Sequence, residues 1–169
     1  TVHSLAYATF GKFLTHKINT KDTYYINRGR TPKEIVNLYN IQDVWSSNNS
    51  SVVTSRVIAS IAKNVVEVYQ NSSDADISEK HLTHPMKKRL KFDTIKSKRF
   101  ITKVTNEIIK CATLLWKDKV DYNSPVKADH DTYQKLYQLS KPKLDYDIIY
   151  LDEAQDSSPV VLDILKQQS

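Results

Sequence analysis

Asp145-Tyr-Asp-Ile-Ile-Tyr-Leu-Asp-Glu-Ala-Gln-Asp156 is the stretch on which the reading of the fold turns. Its first half is an apolar run, Ile148 to Leu151, that reads as a short buried strand. It then changes abruptly to Asp152, Glu153, Gln155 and Asp156. Acidic groups at the carboxyl end of a buried strand are how nucleotide-binding sheets present ligands to a metal in the crevice beyond. One carboxylate can hold Mg²⁺, directly or through its water, and the next can accept a proton from an attacking water. A plainer reading fits the same residues: a strand followed by an acidic helix start, where Asp and Glu are favoured in any case.

Outward from that stretch the chain is mainly helical by pattern. After it, Ser157 or Ser158 caps a final helix with Pro159 in its first turn and Val161, Leu162, Ile164 and Leu165 packing back. Before it, Pro142 ends a short helix, His130 to Leu139, with Tyr133, Leu136 and Tyr137 inward. Phe100 to Lys119 is a longer helix whose buried face is Ile101, Val104, Ile108, Cys111, Ala112, Leu115 and Trp116. The connector between the two, 121–129, is turn-rich and holds Pro125. Val52 to Tyr69 carries a wide stripe of Val53, Val57, Ile58, Ile61, Val65, Val68 and Tyr69. Its β-branched content means burial must supply the stability that helix propensity does not. Thr31-Pro32-Lys33-Glu34 is a helix start with a cap, a first-turn proline and a capping-box glutamate, and that helix ends near Asn40. Tyr24-Tyr25-Ile26 reads as a short strand or an aromatic-packed loop. His3 to Leu14 has Leu5, Ala6, Phe10, Phe13 and Leu14 at helical spacing.

Composition excludes several functions. The 169 residues include 2 glycines, in Gly11-Lys12 and Gly29-Arg30, and neither has the spacing of a Gly-x-x-x-x-Gly-Lys-Ser/Thr phosphate loop. The acidic stretch therefore has no triphosphate to work on within this chain. A single cysteine, Cys111, excludes an internal disulfide and a cysteine zinc cluster. It reads as a buried structural thiol. No apolar run approaches membrane-spanning length.

The net charge is +6 and suits a polyanion. The basic residues concentrate in 78–98. Lys87, Lys88, Arg89 and Lys91 are the candidates for phosphate contact there, and a solvated loop face is the competing reading. His81 and His84 are spaced compatibly with metal binding but lack two further ligands nearby.

Leu151-Asp-Glu-Ala-Gln-Asp156 resembles motif II (Walker B) of superfamily 1 DNA helicases of the UvrD/Rep type. Thr1-Val-His-Ser-Leu-Ala6 resembles the Thr-x-His-Ser motif that precedes it in those enzymes. His130-Asp-Thr-Tyr-Gln-Lys-Leu-Tyr-Gln-Leu-Ser-Lys-Pro142 is similar to the segment before motif II in the F-box DNA helicase branch and its bacterial relatives, and Ile77 to Leu82 resembles that branch weakly. The resemblance implies a fragment of an ATP-dependent helicase. Residues 1–16 and 143–169 would be pieces of a RecA-like α/β domain, and 17–142 a helical 1B-like subdomain. Asp152 would bind the Mg²⁺ of Mg-ATP, Glu153 would polarise the attacking water, and Gln155 and Asp156 would couple nucleotide state to DNA. Thr1, His3 and Ser4 would contact single-stranded DNA. Read without the family, His3 is a capping or packing histidine.

Thr1 falls inside a motif, so the chain is expected to be an excised piece. Without the phosphate loop, the arginine finger and the second RecA-like domain, it should hydrolyse no ATP and hold no cofactor alone. Neighbours for strand 148–151 would lie mostly outside it, leaving the strand frayed, repacked on the helices or paired with a second copy. A dimer of the fragment would then be a product of truncation. By the same resemblance the parent acts on DNA in repair or recombination, in the cytoplasm of a bacterium or the nucleus of a eukaryote. Two other classes stay open: a non-enzymatic basic helical module that binds nucleic acid or protein, and a metal-dependent nuclease using Asp152, Glu153 and Asp156. The nuclease lacks a matching ligand set elsewhere.

Overall fold

The computed structural model describes residues 1–18, 31–152 and 154–168. Its α-helices, in chain order, are α1 (Val2–Thr9), α2 (Thr15–Ile18), α3 (Pro32–Tyr39), α4 (Ser55–Gln70), α5 (His84–Arg89), α6 (Lys98–Val120), α7 (His130–Leu139) and α8 (Pro159–Lys166). Among the described residues the one sheet is a two-stranded antiparallel ribbon, β1 (Val44–Trp45) with β2 (Val52–Val53). The protein is mainly α, as the periodicity indicates.

Local chemistry sets the helix ends. Thr31 Oγ1 accepts the Glu34 N–H, Pro32 takes the first turn, and α3 stops at Asn40 in the left-handed conformation. Ser97 caps α6 and Ser158 caps α8, each through its side chain. Asp129 and Thr132 form a reciprocal capping box at the start of α7.

Two apolar clusters organise the chain. The larger is built on α4 against α6 and includes Ile58, Ile61, Val65, Val104, Ile108 and Leu115. Ala59 and Ala62, fully buried on α4, let the helices approach closely. The smaller joins segments distant in sequence: Ala6, Leu14 and Ile18 meet Tyr133 and Tyr137 of α7 and Val160 and Ile164 of α8.

The structure corrects three sequence expectations. No strand forms at 148–151; Ile148 is 67 % and Tyr150 87 % exposed. A strand buried on both faces needs neighbours on both edges, and none of the described residues pairs with this segment. The helix read from Val52 begins instead at Ser55, because Val52 and Val53 are drawn into the ladder opposite Trp45 and Val44. Thr54 is extended, and Asp43 accepts the Ser55 N–H at 2.7 Å. The helix read over His3 to Leu14 breaks at Phe10, continuing as a 3₁₀ turn from Gly11 to Leu14. Tyr24 to Ile26 lies outside the described residues.

Gly11 marks that break for a steric reason. A Cβ there would lie 2.4 Å from Tyr7 Cδ2 and 3.1 Å from Tyr133 Cδ1. Gly11→Ala should therefore cost about 1–3 kcal/mol, the usual range for overpacking. Chemical denaturation checks it: the midpoint should fall with the slope unchanged.

Three lysines are built into the interior, against the expectation for an ammonium. Lys17 is fully buried and donates to the carbonyl oxygens of Asp118 (2.7 Å), Lys119 (3.0 Å) and Asp121 (2.6 Å). It thereby closes the C-terminal end of α6, where the helix dipole favours a cation. Lys135, also fully buried, donates to Ser72 O (2.8 Å) and Asp74 O (2.5 Å) and sits 4.4 Å from the Tyr69 ring centre. Burial lowers both to about 8, against the pull of nearby carboxylates. Lys119 pairs with Asp129 and donates to Gln70 Oε1. Burial pushes Asp129 up, but the Lys119 charge and the hydrogen bonds from Lys119, Thr132 and Gln70 outweigh it and hold the carboxyl below its usual range.

Candidate nucleotide and nucleic-acid site

The two ends of the sequence come together in one groove of about 570 Å³. Thr1 and His3 line it from the start of α1, Asp152 from the turn before α8, and Tyr146, Ile148 and Tyr150 from the extended segment between. The smaller apolar cluster holds this arrangement, since α1 and α8 both pack on α7.

Thr1 caps α1: its Oγ1 accepts the Ser4 N–H at 3.2 Å and lies 2.8 Å from Ser4 Oγ. His3 is exposed, with Nε2 2.5 Å from the Tyr133 hydroxyl. Thr1, His3 and Ser4 thus share one exposed helical turn. Asp152 is exposed, and Gln155 and Asp156 lie on an exposed 3₁₀ turn, Ala154–Asp156. Glu153 lies outside the described residues.

The basic residues sit elsewhere. Lys87, Lys88 and Arg89 are exposed in the last turn of α5, while Met86 and Leu90 anchor that helix in the larger cluster. Lys91 follows in the left-handed conformation with φ 56° and is also exposed. None of the four lines the groove.

The histidine pair at 81 and 84 is separated by environment. His81 is buried; its Nδ1 accepts the Ser78 N–H at 3.0 Å and its Nε2 faces Asp74 Oδ2 at 3.2 Å. His84 is exposed at the start of α5. Among the described residues no group of three or more His, Cys, Asp or Glu is placed to hold a metal ion. Asp152 could serve Mg²⁺ only as one ligand beside phosphate oxygens and water, which is how magnesium is commonly bound in phosphoryl-transfer sites. Cys111 is buried, and burial pushes its thiol up to about 12.

The sequence reading placed Tyr133 inward but gave it no part at the site. The available signal was the i, i+3 spacing of His130 and Tyr133 at a helix start, which puts both on one face.

Comparison with known proteins finds similarity to a DNA helicase. The whole chain aligns at 28 % identity over 183 residues with F-box DNA helicase 1 of Gallus gallus. The chain spans 16 % of that relative's length. No family model matches the chain, and no solved structure matches it. The chain is thus distantly similar to a DNA helicase along its whole length. Among the described residues no helix is long and apolar enough to cross a membrane.

Proposed function

We propose that this chain is the part of a superfamily 1 DNA helicase that runs from the Thr-x-His-Ser motif to the Walker B motif. It contributes DNA contact and the Mg-ATP residues to a larger ATP-driven translocase acting in DNA repair or recombination. The observation that carries the reading is the groove itself: Thr1 and His3 face it from one end of the sequence and Asp152 from the other. The relation to a DNA helicase along the whole chain supports it.

In this reading residues 1–16 and 143–169 belong to a RecA-like domain and 17–142 to a 1B-like subdomain. Asp152 would hold Mg²⁺ through one carboxylate oxygen or a bound water. Glu153 would orient the attacking water, and Gln155 and Asp156 would report nucleotide state to the turn bearing Thr1, His3 and Ser4. When bound, Mg²⁺ supplies charge neutralisation on the phosphates. The exposed apolar segment 146–150 suits a chain whose sheet neighbours come from elsewhere in the parent.

Lys87, Lys88, Arg89 and Lys91 would meet backbone phosphates. Replacing Lys87, Lys88 and Arg89 with glutamine should weaken DNA binding and lower the log–log salt slope by about 2–3, at roughly 0.7–0.9 for each phosphate no longer neutralised. Fluorescence anisotropy across a salt series measures both; an unchanged slope removes the cluster from the DNA interface. The competing reading, a non-enzymatic basic helical module, keeps that result, so nucleotide turnover by the longer protein is what separates the two.

A further inference from the structure

Three rings meet where the first turn of α1 crosses the first turn of α7. The Tyr133 hydroxyl lies 2.5 Å from His3 Nε2 and 3.0 Å from His130 Nδ1. Both imidazoles stand edge-on to the phenol, with ring centres at 5.2 Å and 5.7 Å. Tyr7 covers the same ring from α1 at 5.6 Å. Tyr133 is fully buried, while His3 and His130 are exposed.

A phenol carries one proton and can donate it to only one of two nitrogens. The other nitrogen must then carry a hydrogen of its own and donate to the oxygen, or two lone pairs face each other. O–H donors form shorter hydrogen bonds than N–H donors. The two distances match a hydroxyl that donates to His3 Nε2 and a His130 Nδ1–H that donates to the hydroxyl; that arrangement puts the His3 proton on Nδ1.

We infer that Tyr133 is a positioning residue for His3. It holds the imidazole as the Nδ1–H form, in one orientation, as a donor suited to a phosphate oxygen of single-stranded DNA; His130 sets the direction of the hydroxyl. The inference rests on the reading of His3 as a nucleic-acid contact. It also gives α7 a task beyond packing: the helix carries both partners that fix a motif residue far away in the sequence.

The test uses the intact chain and a thymidine oligonucleotide. Tyr133→Phe removes the oxygen and keeps the ring against Tyr7. The ¹⁵N resonances of the His3 ring, read in mildly alkaline solution, should show Nε2 unprotonated in the native chain and a mixture of both forms in Tyr133→Phe. Oligonucleotide affinity should fall roughly fivefold in Tyr133→Phe, the scale of one neutral hydrogen bond. A Tyr133→Phe, His3→Gln double variant should bind no more weakly than His3→Gln alone, because the tyrosine acts through the histidine. His130→Gln, at an exposed position, repeats the tautomer test without touching the core, and the same mixture is expected. An unchanged His3 tautomer in Tyr133→Phe or His130→Gln, or additive losses in the double variant, overturns the inference. If the tautomer shifts as expected but His3→Gln binds the oligonucleotide like the native chain, the positioning stands and the DNA reading of His3 falls.

Discussion

Lys17→Met lowers the thermal midpoint by roughly 4–16 °C, taking a loss of about 2–4 kcal/mol and 2–4 °C per kcal/mol for a domain of this size. The loss is a difference of opposed effects. Methionine leaves three carbonyl oxygens at the end of α6 without the ammonium that now serves them. An orphaned buried acceptor costs about 1–3 kcal/mol; the contact to Lys119 O is buried, and those to Asp118 O and Asp121 O are partly buried. Relief from burying a charge works the other way, and the expected loss is what remains after it is set against the unserved carbonyls. The damage should also be local in character. Lys17 ties the segment that follows α1 to the longest helix, so hydrogen exchange should rise first across Thr15–Ile18 and the last turn of α6.

The pH dependence of the native chain gives the same prediction a second measurement. Lys17 and Lys135 sit at about 8 in the fold, below the ordinary value of 10.5. Between those values the unfolded chain binds more protons than the folded one, so stability rises with pH across that window. The penalty is fully present below about 8 and relieved as the pH climbs toward 10.5. Lys17→Met should show a shallower rise. A variant whose midpoint and pH slope match the native chain would show that the carbonyls find other donors and that Lys17 is no strut.

These lysines also show where the sequence stops being legible. Helix ends were readable because their chemistry is local: Thr31 with Pro32 and Asn40, Ser158 with Pro159. The long helices were readable because Ile58, Ile61 and Val65, or Val104, Ile108 and Leu115, recur at the helical period. Lys17, Lys119 and Lys135 were not, because a charged residue in a pattern reads as surface. Their burial depends on carbonyls and carboxylates that arrive from distant segments. Segment 148–151 failed for the reverse reason. Its apolar run has strand propensity, but a strand exists only in a ladder, and propensity carries no information about partners. The groove was legible only in part. The motifs named Thr1, His3 and Asp152, but nothing in the spacing placed the Tyr133 hydroxyl against the His3 ring.

In the longer helicase proposed to contain this chain, Glu153→Gln is expected to cut DNA-stimulated ATP turnover by about 10²–10⁴-fold, the usual contribution of a positioned base. Nucleotide should still bind, because the glutamine keeps the volume and loses only the charge. Asp152→Asn is expected to act at an earlier step. It removes the formal charge of the proposed Mg²⁺ ligand, so the magnesium concentration needed for half-maximal turnover should rise along with the loss of rate. The contrast is informative because the two residues are adjacent. A merely structural role for this turn would make both variants lose stability together, with no separation between metal dependence and turnover. Single-turnover phosphate release, nucleotide binding and a magnesium titration on the two variants make the distinction. Full turnover in Glu153→Gln would remove the acidic stretch from the chemistry and leave the basic helical module as the better account of the chain. Phosphate release by residues 1–169 alone, abolished in Glu153→Gln, would instead mean that this chain completes a nucleotide site without a glycine-rich loop.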